Sequence, residues 1–465
     1  MLYLVRLSLD HLSFRLPSLV AIADLYGFHI EFVSEDKLRG VLVVELNNDE
    51  DARKLLERGT LVMSISRLYA QASSYPELHR QLKDNIQIFQ PDMDKSFRVT
   101  LEASFHTIPN KRQRQTIDEF AYTDLRGVVD MKNPEAEFVV FEDYDPRQAH
   151  TTEEKTDRDG QFVQVYFGRR VGFGQARLLV NSHAVKTRAF YGNTSMEAEM
   201  AEPGPQPGPG KIFYDPFVGT GSLLYAAAHW GAYVLGSDID GRQMRGKNGK
   251  GKESIPGIFR AASQYGTREQ FWDCLTFDVT KSPIRRGGWI DAIVTDPPYG
   301  VRAGAKRLGK KETSKRPMRE EAFLMPNGTY SHELPDYVPP FRPYELSDLT
   351  IDLILLARYL LVPGGRLVFF LPTITEEWDE VDVPVVEGMR ELKIGEGSVQ
   401  DFGKWGRRLI TMEKTAQDDG ERPIFGGYEA FEKTQSKVPG HHNFSQKYFS
   451  RNIPQTEGES PLKAP

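Results

Sequence analysis

The sequence predicts an α/β chain, a doubly wound parallel sheet preceded by an α+β, ferredoxin-like N-terminal region. Three observations support this. Residues 1–70 alternate in the order β-α-β-β-α-β, the ferredoxin-like pattern. From Lys211 the rhythm becomes strand, helix, strand with short connections, as in a parallel sheet. A Pro/Gly linker, AEPGPQPGPG at 201–210, separates the two regions. With 465 residues and 52.8 kDa the chain has room for two or three domains and several cores, so it needs no metal or disulfide to fold.

In the first region LYLVRLSL reads as a strand and FRLPSLVAIADLYG as a helix ending at Gly27. HIEFV and GVLVVEL read as strands, DEDARKLLERG as a helix with a glycine stop, and TLVMSISRLYA as a strand. These elements form an expected subdomain over 1–70. A second α+β unit is expected over 71–180. It has helical spacing at Pro76–Phe89 and Lys111–Tyr122, and strands at Ser96–Phe105, Glu137–Phe141 and Gln161–Phe167. The sheet domain is expected over 181–413. It contains an apolar helix at Leu349–Leu361, a turn and buried strand in PGGRLVFFLP, and an antiparallel edge made by Leu392–Val399 and Arg408–Met412. Residues 414–465 are polar and rich in Pro and Gly, and read as a disordered tail.

Composition excludes several classes. The longest apolar stretch, Leu353–Val362, is broken by Arg358 and is too short to span a bilayer. The N-terminal run carries Arg6 and Asp10, unlike a secretory leader. A single cysteine, Cys274, rules out an internal disulfide and a cysteine-rich zinc site, and no metal is expected. A reducing compartment follows, with the cytoplasm as the default. The net charge of -6 argues against a uniformly basic nucleic-acid binder but leaves room for a local basic face. Residues 161–196 carry Arg169, Arg170, Arg177, Lys186 and Arg188 and no acid. Lys111, Arg112 and Arg114 open a helix, and the insertion at 301–345 is basic over 302–319. These are the candidate phosphate contacts.

The segment 211–240 carries the first ligand signal. A strand, IFYD, ends at Asp215 and runs into Phe217-Val-Gly219-Thr-Gly221, a small-residue helix, and a second strand ending at Asp238. Glycines permit a sharp turn and a close ligand, and an acid at the end of the second strand suits ribose hydroxyls. A triphosphate loop would need Gly-Lys-Ser/Thr, which is absent, and a dinucleotide site would want glycine where Leu224 stands. S-adenosylmethionine remains, with a ribose, a carboxylate and no phosphate. Asp278, past the third strand, is placed to accept the adenine amino hydrogen; as a lone aspartate it also reads as a turn residue.

The second signal is IDAIVTDPPYGVR. Asp296, Pro297, Pro298 and Tyr299 stand at the C-terminal end of a buried strand, where ligands bind in open α/β sheets. Two prolines fix φ and remove two donors, leaving a rigid turn whose oxygens accept hydrogen bonds. Such a turn suits an exocyclic amino group, which donates two hydrogens from one nitrogen. Tyr299 is placed to stack on the base.

DPFVGTG, GSDID and DPPYG together resemble the amino-methyltransferases that use S-adenosylmethionine. Thr194-Ser195-Met196 and the N-terminal α+β units resemble the THUMP-containing RNA methyltransferases. Residues 1–412 are similar to the eukaryotic tRNA (guanine-N2) methyltransferases that modify guanosine 10. The resemblance implies a Rossmann-like methyltransferase domain after a THUMP-like RNA-binding domain. It places Asp296, Pro297 and Tyr299 at the target base and Gly219, Gly221, Asp238 and Asp278 at the cofactor; Pro298 of the same turn, and Asp215 and Phe217 at the start of the glycine-rich turn, complete the candidate site. It implies tRNA as partner, gripped by the N-terminal domains, and a small zinc-binding activator subunit on the edge strand Phe271–Phe277. The chain departs from the pattern after TSMEAEM, where a full helix gives way to the Pro/Gly linker and at most two turns fit. Two other readings stay open at this level. One is a methyltransferase acting on another RNA or on an adenine amino group; the other is a catalytically weak tRNA-binding subunit.

Overall fold

The structure, a computed structural model, describes residues 1–33, 39–146, 159–192, 207–246, 255–299, 304–310, 321–334, 337, 339–374, 383–392, 398–403, 405–417 and 421–425. It divides into two compact units, Met1–Ser182 and His183–Pro465.

In the first unit β1 (Leu2–Leu7), α1 (Arg15–Tyr26), β2 (Glu31–Phe32), β3 (Val41–Glu45), α2 (Asp49–Arg58) and β4 (Val62–Ala72) follow the expected order. Asn48 caps α2 by accepting the Asp51 N–H at 3.1 Å, and three acids in the first turn face the positive end of the helix dipole. Then come α3 (Tyr75–Asp84), β5 (Phe97–Ser104), α4 (Asn110–Asp118), β6 (Ala136–Asp143), β7 (Gln164–Phe173) and α5 (Ala176–Ser182). The predicted helices at 76–89 and 111–122 are each an α-helix finished by a 3-10 turn, Ile86–Asp92 and Ala121–Thr123.

All seven strands form one sheet, in the order β2-β3-β1-β4-β7-β6-β5. The expected boundary at residue 70 falls inside β4. That strand is eleven residues long, pairs with β1 from Val62 to Arg67, and pairs with β7 from Ser64 to Ala72. Two apolar clusters flank this shared strand, one of Tyr3, Val5, Leu55 and Ile65, the other of Leu78, Leu82, Phe138 and Phe167.

The second unit contains β8 (Ile212–Asp215), α6 (Ser222–His229), β9 (Tyr233–Asp238), α7 (Gly241–Arg245), α8 (Gly257–Gln264), β10 (Phe271–Thr276) and β11 (Ile290–Thr295). After β12 (Lys306–Leu308), β13 (Phe341–Pro343) and α9 (Leu346–Leu360) come β14 (Leu361–Ile374), β15 (Met389–Glu391), β16 (Ser398–Asp401) and β17 (Trp405–Lys414). The main sheet runs β10-β9-β8-β11-β14-β17-β15, with β16 also paired to β17. Strands β10, β9, β8, β11 and β14 are parallel, and β17 is antiparallel to β14. The third strand of the domain, β10, is outermost, as the doubly wound pattern predicts. The apolar helix α9 buries Leu349, Leu353, Ile354 and Leu360 against Ile290, Ile293 and Leu367 of the sheet. The expected partner of Arg408–Met412 is in fact two short strands, β15 and β16; residues 393–397 between them lie outside the described residues. The same holds for Thr194-Ser195-Met196, the first part of the Pro/Gly linker, residues 311–320 of the insertion, and the tail from 426.

Candidate active site

Strands β8, β9 and β11 are parallel neighbours, so their C-terminal residues Asp215, Asp238 and Asp296 lie along one sheet edge. Asp215 is buried; Thr295 donates its hydroxyl to it at 2.6 Å and the Phe217 N–H donates at 3.0 Å. These bonds fix the start of the glycine-rich turn. Asp238 closes the turn from the next strand. Its Oδ2 accepts the Gly219 N–H at 3.0 Å and its Oδ1 the Asp240 N–H at 2.8 Å.

The two glycines have different reasons to be there. Gly221 has φ +87, and a Cβ would come within 2.7 Å of Ile258 Cδ1. Gly219 has φ +51 with nothing nearer than 4.0 Å to an added Cβ, so its backbone borders open space. The turn thus leaves a main-chain cradle at the N-terminus of α6.

Burial pushes all three carboxyls upward, Asp215 to about 7 and Asp238 and Asp296 to about 6. Asp238 and Asp296 raise Asp215 further by charge repulsion, while Arg407 holds Asp296 down. An edge lined by buried acids, with no lysine in its turn, repels a polyphosphate and favours a cationic ligand. A sulfonium with a ribose for Asp238 fits this donor and acceptor set.

Asp296 itself is held from a direction that sequence reasoning missed. Arg407 donates from Nη1 to Asp296 Oδ2 at 2.7 Å and to the Tyr299 hydroxyl at 3.2 Å. Asp296 Oδ1 is buried and has no hydrogen-bond partner among the described residues. Tyr299 packs beside Leu346 and Trp405. The signal for Arg407 lay in strand direction. A strand antiparallel to β14 starts at the ligand edge, so the first residues of β17 must stand beside the DPPY turn; Arg407 is opposite Pro372.

Several of the predicted contact residues have partners within the chain. Asp278 is committed to its own turn and to the insertion. Its Oδ1 accepts the Thr280 N–H and hydroxyl, and its Oδ2 the Leu308 N–H, with the residue buried. It caps its own turn and ties the insertion to it. Arg112 grips Glu142 bidentately at 2.6 Å and Asp159 at 2.7 Å. Arg169 pairs with Asp92, and Arg170 is buried against Ser64 and Glu102. Arg188 is buried on Ser222, Tyr265 and the His183 carbonyl. These four guanidiniums already balance internal acceptors. Lys111, Arg114 and Lys186 are exposed, and the Arg177 side chain lies outside the described atoms. Near α4 the first unit has a cleft of about 500 Å³, lined by Pro76, His79, Arg80, Lys83, Glu119 and Tyr122. Among the described residues no group of three or more His, Cys, Asp or Glu is placed to hold a metal, and no helix is long and apolar enough to cross a membrane.

Residues 1–176 match the model of the Tmrp11 THUMP N-terminal domain, and residues 187–315 match the RMKL-like methyltransferase domain. The tRNA (guanine(10)-N(2))-methyltransferase of Schizosaccharomyces pombe is 38% identical over 88% of this chain and 80% of its own length. That of Saccharomyces cerevisiae is 34% identical over 97% of this chain and 98% of its own. The human tRNA (guanine(10)-N(2))-methyltransferase TRMT11 is 33% identical over 96% of this chain and 95% of its own. With a THUMP-type unit, a methyltransferase unit and relatives of this closeness along nearly its whole length, the chain belongs to the tRNA (guanine(10)-N(2))-methyltransferase family.

Proposed function

We propose that the carboxylate edge of the second unit binds S-adenosylmethionine and the target guanine, and that the turn Asp296–Tyr299 directs the methyl to the exocyclic N2 of guanosine 10 in tRNA. The observation that carries this reading is the buried, unpartnered Asp296 Oδ1 in a turn that two prolines deprive of N–H donors.

The cofactor, when bound, supplies an electrophilic methyl and departs as a neutral thioether. The chain's part is to position and to hold charge. Asp296 Oδ1 and the Pro297 carbonyl accept the two amino hydrogens, which favours a pyramidal nitrogen with its lone pair toward the methyl. As the N–C bond forms, the nitrogen must lose a proton. Asp296, already pushed up to about 6, is suited to take it. Pro298 stiffens the turn, and Tyr299 stacks on the base. Asp215 and Phe217 anchor the cradle of Gly219 and Gly221, and Asp238 receives the ribose hydroxyls. The THUMP-type unit holds the tRNA, with exposed Lys111 and Arg114 as phosphate contacts, and exposed Lys186 in the second unit adds another. The single cysteine agrees with a cytoplasmic setting.

Asp238→Ala is expected to weaken binding of S-adenosylhomocysteine by roughly 10- to 100-fold, the worth of two hydroxyl hydrogen bonds. Calorimetry would show it; unchanged affinity would leave Asp238 as a brace for the glycine turn alone. The activity itself is tested by nucleoside mass spectrometry of tRNA after incubation with labelled cofactor.

The second partner is a small zinc-binding activator subunit on β10. Its support is an aromatic row that reaches the open edge: exposed Tyr233 stacks on Trp272 at 5.4 Å, and Trp272 on half-buried Trp289 at 6.3 Å. Trp272 is 48% exposed. These rings stand at the N-terminal ends of β9, β10 and β11, opposite the carboxylate edge, so a subunit there leaves the active site open. Trp272→Lys is expected to abolish co-purification with the activator and to lower soluble yield toward that of the chain expressed alone. A lone chain that is soluble and fully active would remove the requirement.

A further inference from the structure

We propose that Arg407 is a positioning residue for methyl transfer, fixing which Asp296 oxygen and which Tyr299 ring orientation meet the target base. This rests on the reading of Asp296 as the acceptor of the amino hydrogens.

One guanidinium nitrogen serves both groups. Arg407 Nη1 donates to Asp296 Oδ2 at 2.7 Å and to the Tyr299 hydroxyl at 3.2 Å. The bond to Oδ2 leaves Oδ1 as the oxygen available to a substrate, and Oδ1 is the atom that is buried without a partner. The bond to the hydroxyl limits rotation of Tyr299 about its side-chain bonds, so the ring keeps one tilt beside Trp405. Arg407 is itself well held. Its Nε donates to Gln400 Oε1 at 2.8 Å from β16, and its guanidinium lies 4.3 Å from the Phe370 ring centroid on β14. Three strands thus converge to place one cation at the reacting turn. The fork shape matters, because a lysine offers a single compact charge on a flexible stem.

Among the described residues, the charged and titratable groups facing Asp296 are Asp215 at the end of β8, Tyr299 in its own turn, and Arg407 on β17. Of these only Arg407 favours the carboxylate. Its loss therefore raises the proton affinity of Asp296, and the pH below which the acceptor is neutral moves up.

The test compares wild type, Arg407→Met, Arg407→Lys and Asp296→Ala as full chains with their activator. It measures kcat and KM for tRNA from about pH 5 to 9, affinity for S-adenosylhomocysteine by calorimetry, and thermal melting. Arg407→Met is expected to lower kcat roughly 10- to 100-fold, as for a lost hydrogen bond to a charged group. Its acid limb should move upward, with cofactor affinity and KM for tRNA little changed. Arg407→Lys should return the acid limb to its wild-type place while recovering kcat only in part. If Arg407→Met merely lowers the amount of folded enzyme, with kcat per folded molecule and the acid limb unmoved, the proposal fails while the Asp296 reading stands. If Asp296→Ala retains activity, the reading itself fails.

Discussion

Asp296→Ala is expected to lower methyl transfer to tRNA by ~10² to 10⁴-fold while leaving affinity for S-adenosylhomocysteine near the wild-type value. The exocyclic amine of guanine is a poor nucleophile because its lone pair is delocalised into the ring. A positioned acceptor is what draws that pair out. The structure leaves Oδ1 of that acceptor without a hydrogen-bond partner among the described residues. Alanine removes the acceptor and also leaves Arg407 without its carboxylate. Single-turnover assays with saturating cofactor would measure the loss. More than a tenth of wild-type activity would place the critical acceptor elsewhere.

Arg112→Ala is expected to destabilise the first unit by ~3–5 kcal/mol, because it strands a buried carboxylate. Glu142 is fully buried, and among the described residues its donors besides Arg112 are the Tyr75 and Tyr144 hydroxyls, at 2.6 and 2.8 Å. The melting temperature should fall by on the order of 10 °C. Lys111→Ala and Arg114→Ala should leave melting unchanged and instead weaken tRNA binding and flatten its salt dependence. If Arg112→Ala melts like wild type yet loses tRNA affinity, its guanidinium serves the RNA after all.

Motifs made by one strand end and the turn after it were legible in the sequence. DPFVGTG and DPPY mark themselves, because glycine at a positive φ and paired prolines leave local signatures. The strand order of doubly wound sheets also placed β10 at an edge. What stayed hidden depends on residues far apart in the chain. Arg407 lies 111 residues beyond Asp296, and only the pairing of β17 with β14 brings them together. The fate of the arginines was hidden for the same reason. A basic run looks like a phosphate grip until the acids that answer it, Asp92, Glu102 and Glu142, are found on neighbouring elements. Asp278 illustrates the same limit, since its partner Leu308 arrives from an insertion thirty residues on. The single sheet of the first unit escaped notice because β4 reads as the end of one motif and is also the start of the next.

The most direct test of the central claim is positional mapping of the methyl group. A tRNA bearing guanosine at position 10 is incubated with isotope-labelled S-adenosylmethionine and the enzyme with its activator, then digested and sequenced by mass spectrometry. The expected result is labelled N2-methylguanosine at position 10 with wild type, and none with Asp296→Ala even though that variant binds the cofactor. Label on a different nitrogen or base, or label at position 10 that persists in Asp296→Ala, would contradict the assignment of the Asp296 turn as the seat of transfer.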